Sequence, residues 1–277
     1  MSHAHAGSHA ASVETQPDVY TNPVWRYLVH AATIVDLELR KLRRDPSELI
    51  MRAVQPALWL LVFGQAFGRL RAVPTGGVPY LAFLTPGILA QSVTFISIFY
   101  GIAIIWERDM GILQKYLATP MRRSALVLGK QLGASTRAIS QAVVILVLSW
   151  LVGVRLHVGW NVIAVLILVI LGAAFFAGMS MVLAALLKTR ERMMGIGQVI
   201  TMPLFFSSNA LYPISIMPAW LKVVATINPM TYLVDGLRGL LLGTGTHAVW
   251  ADALILAFAG TLMLALASYL FPRRLAG

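Results

Sequence analysis

Hydrophobic positions run through most of the chain in long blocks, separated by short clusters of Lys, Arg, Asp and Glu. About 20 apolar residues cross the hydrocarbon of a bilayer, and a charge at mid-depth costs kilocalories. Charge-free intervals therefore mark candidate spans. Arg71 to Glu107 encloses 35 residues, Arg137 to Arg155 17, Arg155 to Lys188 32, Arg192 to Lys222 29 and Asp252 to Arg273 20. A shorter interval of 16 residues separates Arg52 from Arg69. A helix begun near Ser47 lengthens it, with Arg52 snorkelling to the headgroups. Six spans are predicted, over about 47-68, 79-105, 130-154, 159-187, 194-212 and 251-271. Arg137, on one helical face with Lys130, and Asp252, at the edge of the last span, are expected at the interfaces.

Other periodicities predict elements that do not span. Residues 1-22 are small, polar and His-dotted (His3, His5, His9) and carry no apolar core, so a disordered tail and no secretory signal are expected. Over 23-45 an apolar stripe of Trp25, Leu28, Val29, Ala32, Val35, Leu39 and Leu42 faces Arg26, His30, Arg40, Arg43 and Arg44. That pattern predicts a helix lying in the bilayer interface, ended by Asp45-Pro46. A short amphipathic helix is predicted over 107-119, opened by Glu107 and Asp109 and stopped by Pro120, with Met110, Leu113 and Leu117 along one side. Rimmed by both signs of charge, it suits docking on another protein or resting on headgroups. Within 213-243, Pro213, Pro218 and Asn228-Pro229 break an apolar stretch into pieces too short to span. Two re-entrant helices in the outer leaflet are expected, with Asp235 and Arg238 placed to pair on one face.

Composition sharpens this picture. Hydrophobic residues make up 58% of 277, charged residues 12%, and mean hydropathy is +0.76. Soluble domains carry about 25% charged residues, so a soluble enzyme is excluded. With alternating spans and the N-terminus inside, Lys and Arg divide 17 to 5 across the membrane. The excess, and the net charge of +11, therefore belong to the cytoplasmic side with both termini. Five or seven spans would spoil the partition. No nucleic-acid partner is needed to explain the charge.

Catalytic equipment is missing. The nearest approach to a phosphate-binding loop, Ser124 to Gln131, has Ser for the first Gly and Gln for the closing Ser or Thr. Carboxylates are too scattered to chelate a metal, and with no cysteine there is no thiolate chemistry. Neither a catalytic residue nor a bound metal or cofactor is expected. An ion-coupled secondary transporter is the alternative, with an intramembrane lipid-modifying enzyme behind it. The first class usually shows an internal repeat and a titratable residue within a span, and no convincing repeat is present.

The two interrupted segments together carry a resemblance. Glu107, Gly111, Leu117, Thr119, Pro120, Arg122 and Arg123 form the first motif. Pro213, Pro218, Trp220, Asn228, Pro229, Thr231, Tyr232, Asp235, Gly236 and Arg238 form the second. In this order, over residues 24 to 274, the chain resembles the type-2 permeases of ATP-binding-cassette (ABC) transporters, which export drugs, polysaccharides and lipid-linked glycans. The smaller drug and lipooligosaccharide exporters are the nearest in form.

The resemblance implies an all-α polytopic membrane protein of six transmembrane helices. It adds an N-terminal interface helix, a cytoplasmic coupling helix and two re-entrant helices before the last span. It also implies a second permease copy, two copies of a separate ATPase subunit that holds the Mg-ATP, and the bacterial inner membrane. Glu107, Arg108, Gly111, Leu113, Leu117, Pro120, Arg122 and Arg123 would couple to the ATPase, Glu107 by meeting a basic group there and Leu113 and Leu117 by filling an apolar groove. Gln91, Ser92, Thr94, Gln198, Thr201, Ser208 and Asn209 are the candidates to face a cargo pathway, or else to serve as glue between helices. Apolar walls favour an amphiphilic or lipid-linked cargo.

Overall fold

The computed structural model describes residues 22–44, 47–70, 73–119, 121–157, 159–187 and 189–275. The tail, the Asp45-Pro46 break, Pro120 and the side chain of Arg52 lie outside the described residues. Among those described, every regular element is helical. Four helices are long and apolar enough to cross a membrane: α4 (Tyr80–Asp109), α6 (Arg123–Leu151), α7 (Asn161–Leu186) and α11 (Val249–Leu275).

Helix α4 forms the centre. Its apolar residues face neighbours on every side: Leu84, Ile88, Leu89, Val93, Ile98 and Ile105 are all buried, in a core shared with α6, α7 and α10 (Pro229–Leu242). At α11 the balance reverses, with Leu254, Phe258, Leu262 and Tyr269 exposed. An apolar face of that size suits lipid or a second copy.

Two expected spans are less regular. The first is helical from α2 (Ser47–Leu58) through a π-helical turn at Trp59–Phe63 to α3 (Gly64–Leu70). Pro56 lies inside this run and removes one backbone donor, so the α-register is already weakened just before the π turn. The fifth is α8 (Arg190–Phe206), 17 residues capped by Thr189, whose hydroxyl accepts the Arg192 N–H at 3.3 Å. The third expected span also starts differently. Helix α6 begins at Arg123 rather than near 130, because Lys130 is buried within it instead of marking its edge.

Helix α1 (Pro23–Arg44) lies along α6. Its protein-facing stripe is Ala31, Ile34, Glu38 and Leu42, turned by about 100° round the helix from the stripe expected, while Trp25, Leu28 and Ala32 stay exposed. Gly129 and Gly133 of α6 permit the approach. A Cβ on Gly133 would sit 2.6 Å from Glu38 Cγ, and one on Gly129 would sit 2.7 Å from Ile34 Cβ. The helices can touch only because neither position has a side chain.

The broken stretch forms a 3₁₀ turn at Ile214–Ile216, then α9 (Ala219–Ile227) and α10. Asn228 ends one helix and caps the next. Its side-chain oxygen accepts the Met230 N–H at 2.9 Å, and its Nδ2 donates to Leu204 O at 2.7 Å and Ser207 Oγ at 3.1 Å. Pro229 fills the first helical position, where a missing N–H does no harm. Pro218 precedes α9, and Trp220 within it is exposed.

Candidate functional site

The segment after α4 is held from beneath by buried charge. Helix α4 runs on to Asp109, so Glu107 belongs to its last turn and does not open the short helix that follows. The chain turns at Gly111, where φ is +70°, a conformation that favours glycine. The short helix is α5 (Ile112–Leu117).

Close to this turn Lys130 of α6 is 1% exposed and lies between two carboxylates. Its Nζ donates to Glu107 Oε1 and Oε2 at 2.8 and 2.6 Å, and to Glu38 Oε1 at 2.8 Å. Lys41, from α1, bridges the same two acids, at 2.6 Å to Glu107 and 3.0 Å to Glu38. Arg137 adds a bond to Glu38 Oε2 at 3.2 Å, so its expected interfacial placement gives way to a largely buried ion pair. Two acids and three bases thus tie α1, α4 and α6 at one point. Burial alone pushes the Glu38 carboxyl up, but Lys130 and Lys41 outweigh it and hold the group down at about 2. Burial likewise disfavours charge on Lys41, but Glu107 and Glu38 reverse this and raise it. The Tyr116 ring of α5 lies 5.5 Å from Lys130 Nζ, joining the short helix to the cluster.

This arrangement corrects two expectations. Glu107 is directed inward and finds its basic partners on its own chain. Leu113 is fully buried among Ile104, Ile105 and Leu126, and cannot fill a groove elsewhere. The exposed surface of the segment consists of Met110, Gln114, Lys115, Ala118, Thr119, Arg122 and Arg123, with Leu117 half-buried. Arg108 donates to Leu187 O at 3.3 Å and pairs with Asp109 at 3.1 Å, joining the segment to the end of α7.

The expected pathway residues divide. Thr94, Thr201, Ser208 and Asn209 are buried within the single chain. Thr201 and Ser208 donate to Gly197 O and Phe205 O on their own segments, at 2.6 and 2.8 Å. Gln91 and Ser92 line a cavity of about 200 Å³ with Gln55, Phe95 and Gln141. Gln198 is exposed on α8 beside Met194 and Val199.

Asp235 and Arg238, expected to pair, turn to different partners. The Arg238 guanidinium donates to Asn209 O at 2.8 Å and stacks 3.9 Å from the Phe83 ring centre. Asp235 accepts the backbone N–H groups of Thr246 and His247, which sequence spacing alone did not suggest.

The segment Ser124 to Gln131 lies inside α6, and its Lys130 is occupied by carboxylates. A phosphate cradle needs free backbone N–H groups and a free lysine. These residues do not fit ATP.

A family model described as ABC-2 type transporter matches residues 30–242. A putative transport permease, ycf38, of Cyanophora paradoxa is 31% identical over 215 residues, 76% of this chain and 72% of the relative. The daunorubicin resistance ABC transporter permease protein DrrB1 of Streptomyces coeruleorubidus is 27% identical over 223 residues, 79% and 76% of the two chains. Nodulation protein J of Rhizobium leguminosarum bv. trifolii is 26% identical over 200 residues, 71% and 75%. With its apolar helices and interrupted segments matched along most of its length, the chain belongs to the ABC-2 type transporter family of membrane permeases.

Proposed function

We propose that the chain is the membrane subunit of an ATP-driven exporter that moves an amphiphilic or lipid-linked cargo out of the cytoplasm or inner leaflet. The observation carrying this is a basic, exposed surface around α5, anchored by a buried ion cluster, on a chain whose lysine-bearing helix start does not fit ATP. Two copies of a separate ATPase subunit supply Mg-ATP hydrolysis, and two permeases pair around the pathway. ATP binding changes the population of permease states only as far as nucleotide affinity differs between them.

Six crossings complete the topology, with the α2–α3 run and α8 as the two irregular ones. The 17-to-5 partition of Lys and Arg favours both termini on the cytoplasmic side of a bacterial inner membrane. Met110, Lys115, Arg122 and Arg123 meet the ATPase, while Glu107 and Leu113 fix the segment from behind. Gly111 sets the turn at its start. Exposed Gln198 on α8, and Gln91 and Ser92 at the cavity, are the polar positions placed to meet cargo. Similarity to a daunorubicin resistance permease favours an amphiphile over a small ion.

The test is reconstitution with a cognate ABC ATPase subunit. Arg122→Glu with Arg123→Glu, both exposed, should leave insertion and thermal stability unchanged while reducing cargo-stimulated ATP hydrolysis and export severalfold. ATP hydrolysis by the permease alone, or undiminished export in the double variant, would overturn the division of labour.

A further inference from the structure

At the far end of α4 from α5, a second charged group remains incomplete. Asp235 of α10, His247 of the 243–248 loop and Asp252 in the first turn of α11 each offer one donor atom, all within 4.8 Å of one another. The Asp252 side chain is 0% exposed, yet neither carboxylate oxygen has a hydrogen-bond partner. A helix N-terminus normally supplies N–H donors to such a carboxylate. Here it does not, and the group faces His247 instead, with Oδ1 3.5 Å from Nδ1. Asp235 Oδ2 lies 3.2 Å from the same nitrogen.

We propose that Asp235, His247 and Asp252 form a divalent transition-metal site, best suited to Zn²⁺, that pins α10 to α11. Zinc bound by nitrogen and oxygen at about 2.0–2.1 Å in a tetrahedron places neighbouring donors about 3.3 Å apart. The distances of 3.2 and 3.5 Å about His247 Nδ1 bracket that edge. One imidazole with two carboxylates is a borderline donor set, favouring Zn²⁺ over Ca²⁺ or Mg²⁺, which ask for six or more oxygens. The supporting shell is present. Thr246 N–H donates to both oxygens of Asp235 at 3.0 and 2.9 Å, His247 N–H to Oδ2 at 2.7 Å and Asn209 Nδ2 to Oδ1 at 3.4 Å. Such bonds orient a ligating carboxylate. The Tyr232 ring flanks the imidazole, with ring centres 5.8 Å apart. His247 is 46% exposed, which provides the entry path and leaves a fourth position for water. Bound metal takes the imidazole as its neutral form, releasing any proton to solvent.

The test uses the full chain in detergent, freed of any tag and carrying His3→Ala, His5→Ala and His9→Ala so that the tail binds nothing. Zn²⁺ is titrated in competition with a chromophoric chelator, and Co²⁺ is substituted to read coordination from its visible absorption. One Zn²⁺ per chain is expected, with the intense bands of four-coordinate Co²⁺. Asp252→Asn removes no hydrogen bond, so its fold persists, and it should weaken binding at least tenfold, as should His247→Gln. Zn²⁺ should raise the thermal midpoint of the parent chain and leave both variants unmoved. Binding only at millimolar metal, binding that survives Asp252→Asn and His247→Gln together, or an imidazole sharing only a proton between the acids would overturn the site. No outcome depends on ATPase coupling, so failure here leaves the transport function standing.

Discussion

The two ends of helix α4 solve the same electrostatic problem differently. Near α5, two buried carboxylates meet three basic groups, and Lys130 alone makes three charge-assisted bonds of 2.6 to 2.8 Å. Near Phe83, Arg238 settles on backbone oxygens and an aromatic face, while Asp252 is buried with no donor. Buried charge is tolerated when paired and costly when not. The first end is therefore a closed structural joint, and the second an open one. A joint that ties α1, α4 and α6 beneath α5 can pass a push on α5 into the helices with little slack. An unsatisfied carboxylate stores cost that a ligand can relieve.

The largest effect is expected from removing the shared cation. Lys130→Met keeps the volume of the side chain but leaves Glu38 and Glu107 buried against each other. The loss should be about 3–5 kcal/mol, typical of breaking a buried pair. Thermal melts of the purified permease would show it as a large drop in midpoint. A midpoint within a degree or two of the parent would mean that the joint contributes nothing. Lys130→Met combined with Glu38→Gln should recover part of the loss, because coupled sites are not additive.

The next effect is in pH. Glu38 falls from its usual 4.5 to about 2, a difference worth about 3 kcal/mol for a side chain only 2% exposed. Because its folded value is depressed, this stability is present above about 4.5 and is lost as pH falls towards about 2. Lys41 is raised above 10.5, so its contribution is intact below that value and lost only at higher pH. Neutral pH is a plateau for both. Unfolding measured from pH 6 down to pH 3 should slope steeply in the parent and much less in Glu38→Gln; equal slopes would remove Glu38 from the joint.

The contrast also explains what could be read from the sequence. Uncharged intervals located the cores of α4, α6, α7 and α11, since hydrocarbon thickness imposes length directly. Proline and asparagine marked the breaks around α9 and α10 for an equally local reason. The joint was out of reach because its bonds join residues 23, 66, 92 and 99 positions apart. Charge spacing assigned Lys130 to a helix edge and Glu107 to a docking surface, and both are internal. One signal was available: Gly129 and Gly133, four apart on a helix carrying a lysine, permit close approach of another helix. Had α1 been laid on that stripe, Glu38 would have fallen beside Lys130. At the far end, Asp235 and Arg238 sit three apart, but tertiary partners on Asn209 and the 243–248 loop outbid a pair along one helix.

The smallest effect carries the opposite sign. At the closed joint, removing a charge should destabilise, whereas at the open one it should stabilise. Asn in place of Asp252 has nearly the same shape, keeps its place against Gly236 and no longer confines a carboxylate without donors. An unmet buried polar group costs about 1–3 kcal/mol, and an amide forfeits less of its hydration than a carboxylate. In EDTA, Asp252→Asn should therefore raise stability by about 1 kcal/mol, read as a small rise in melting midpoint. Saturating Zn²⁺ should reverse the order, because only the parent gains binding energy from a ligand selective for the folded state. If Asp252→Asn is instead less stable than the parent in EDTA, then the carboxylate is already satisfied within the fold. The two ends of α4 would then differ only in their partners, and no ligand would be needed to complete the second.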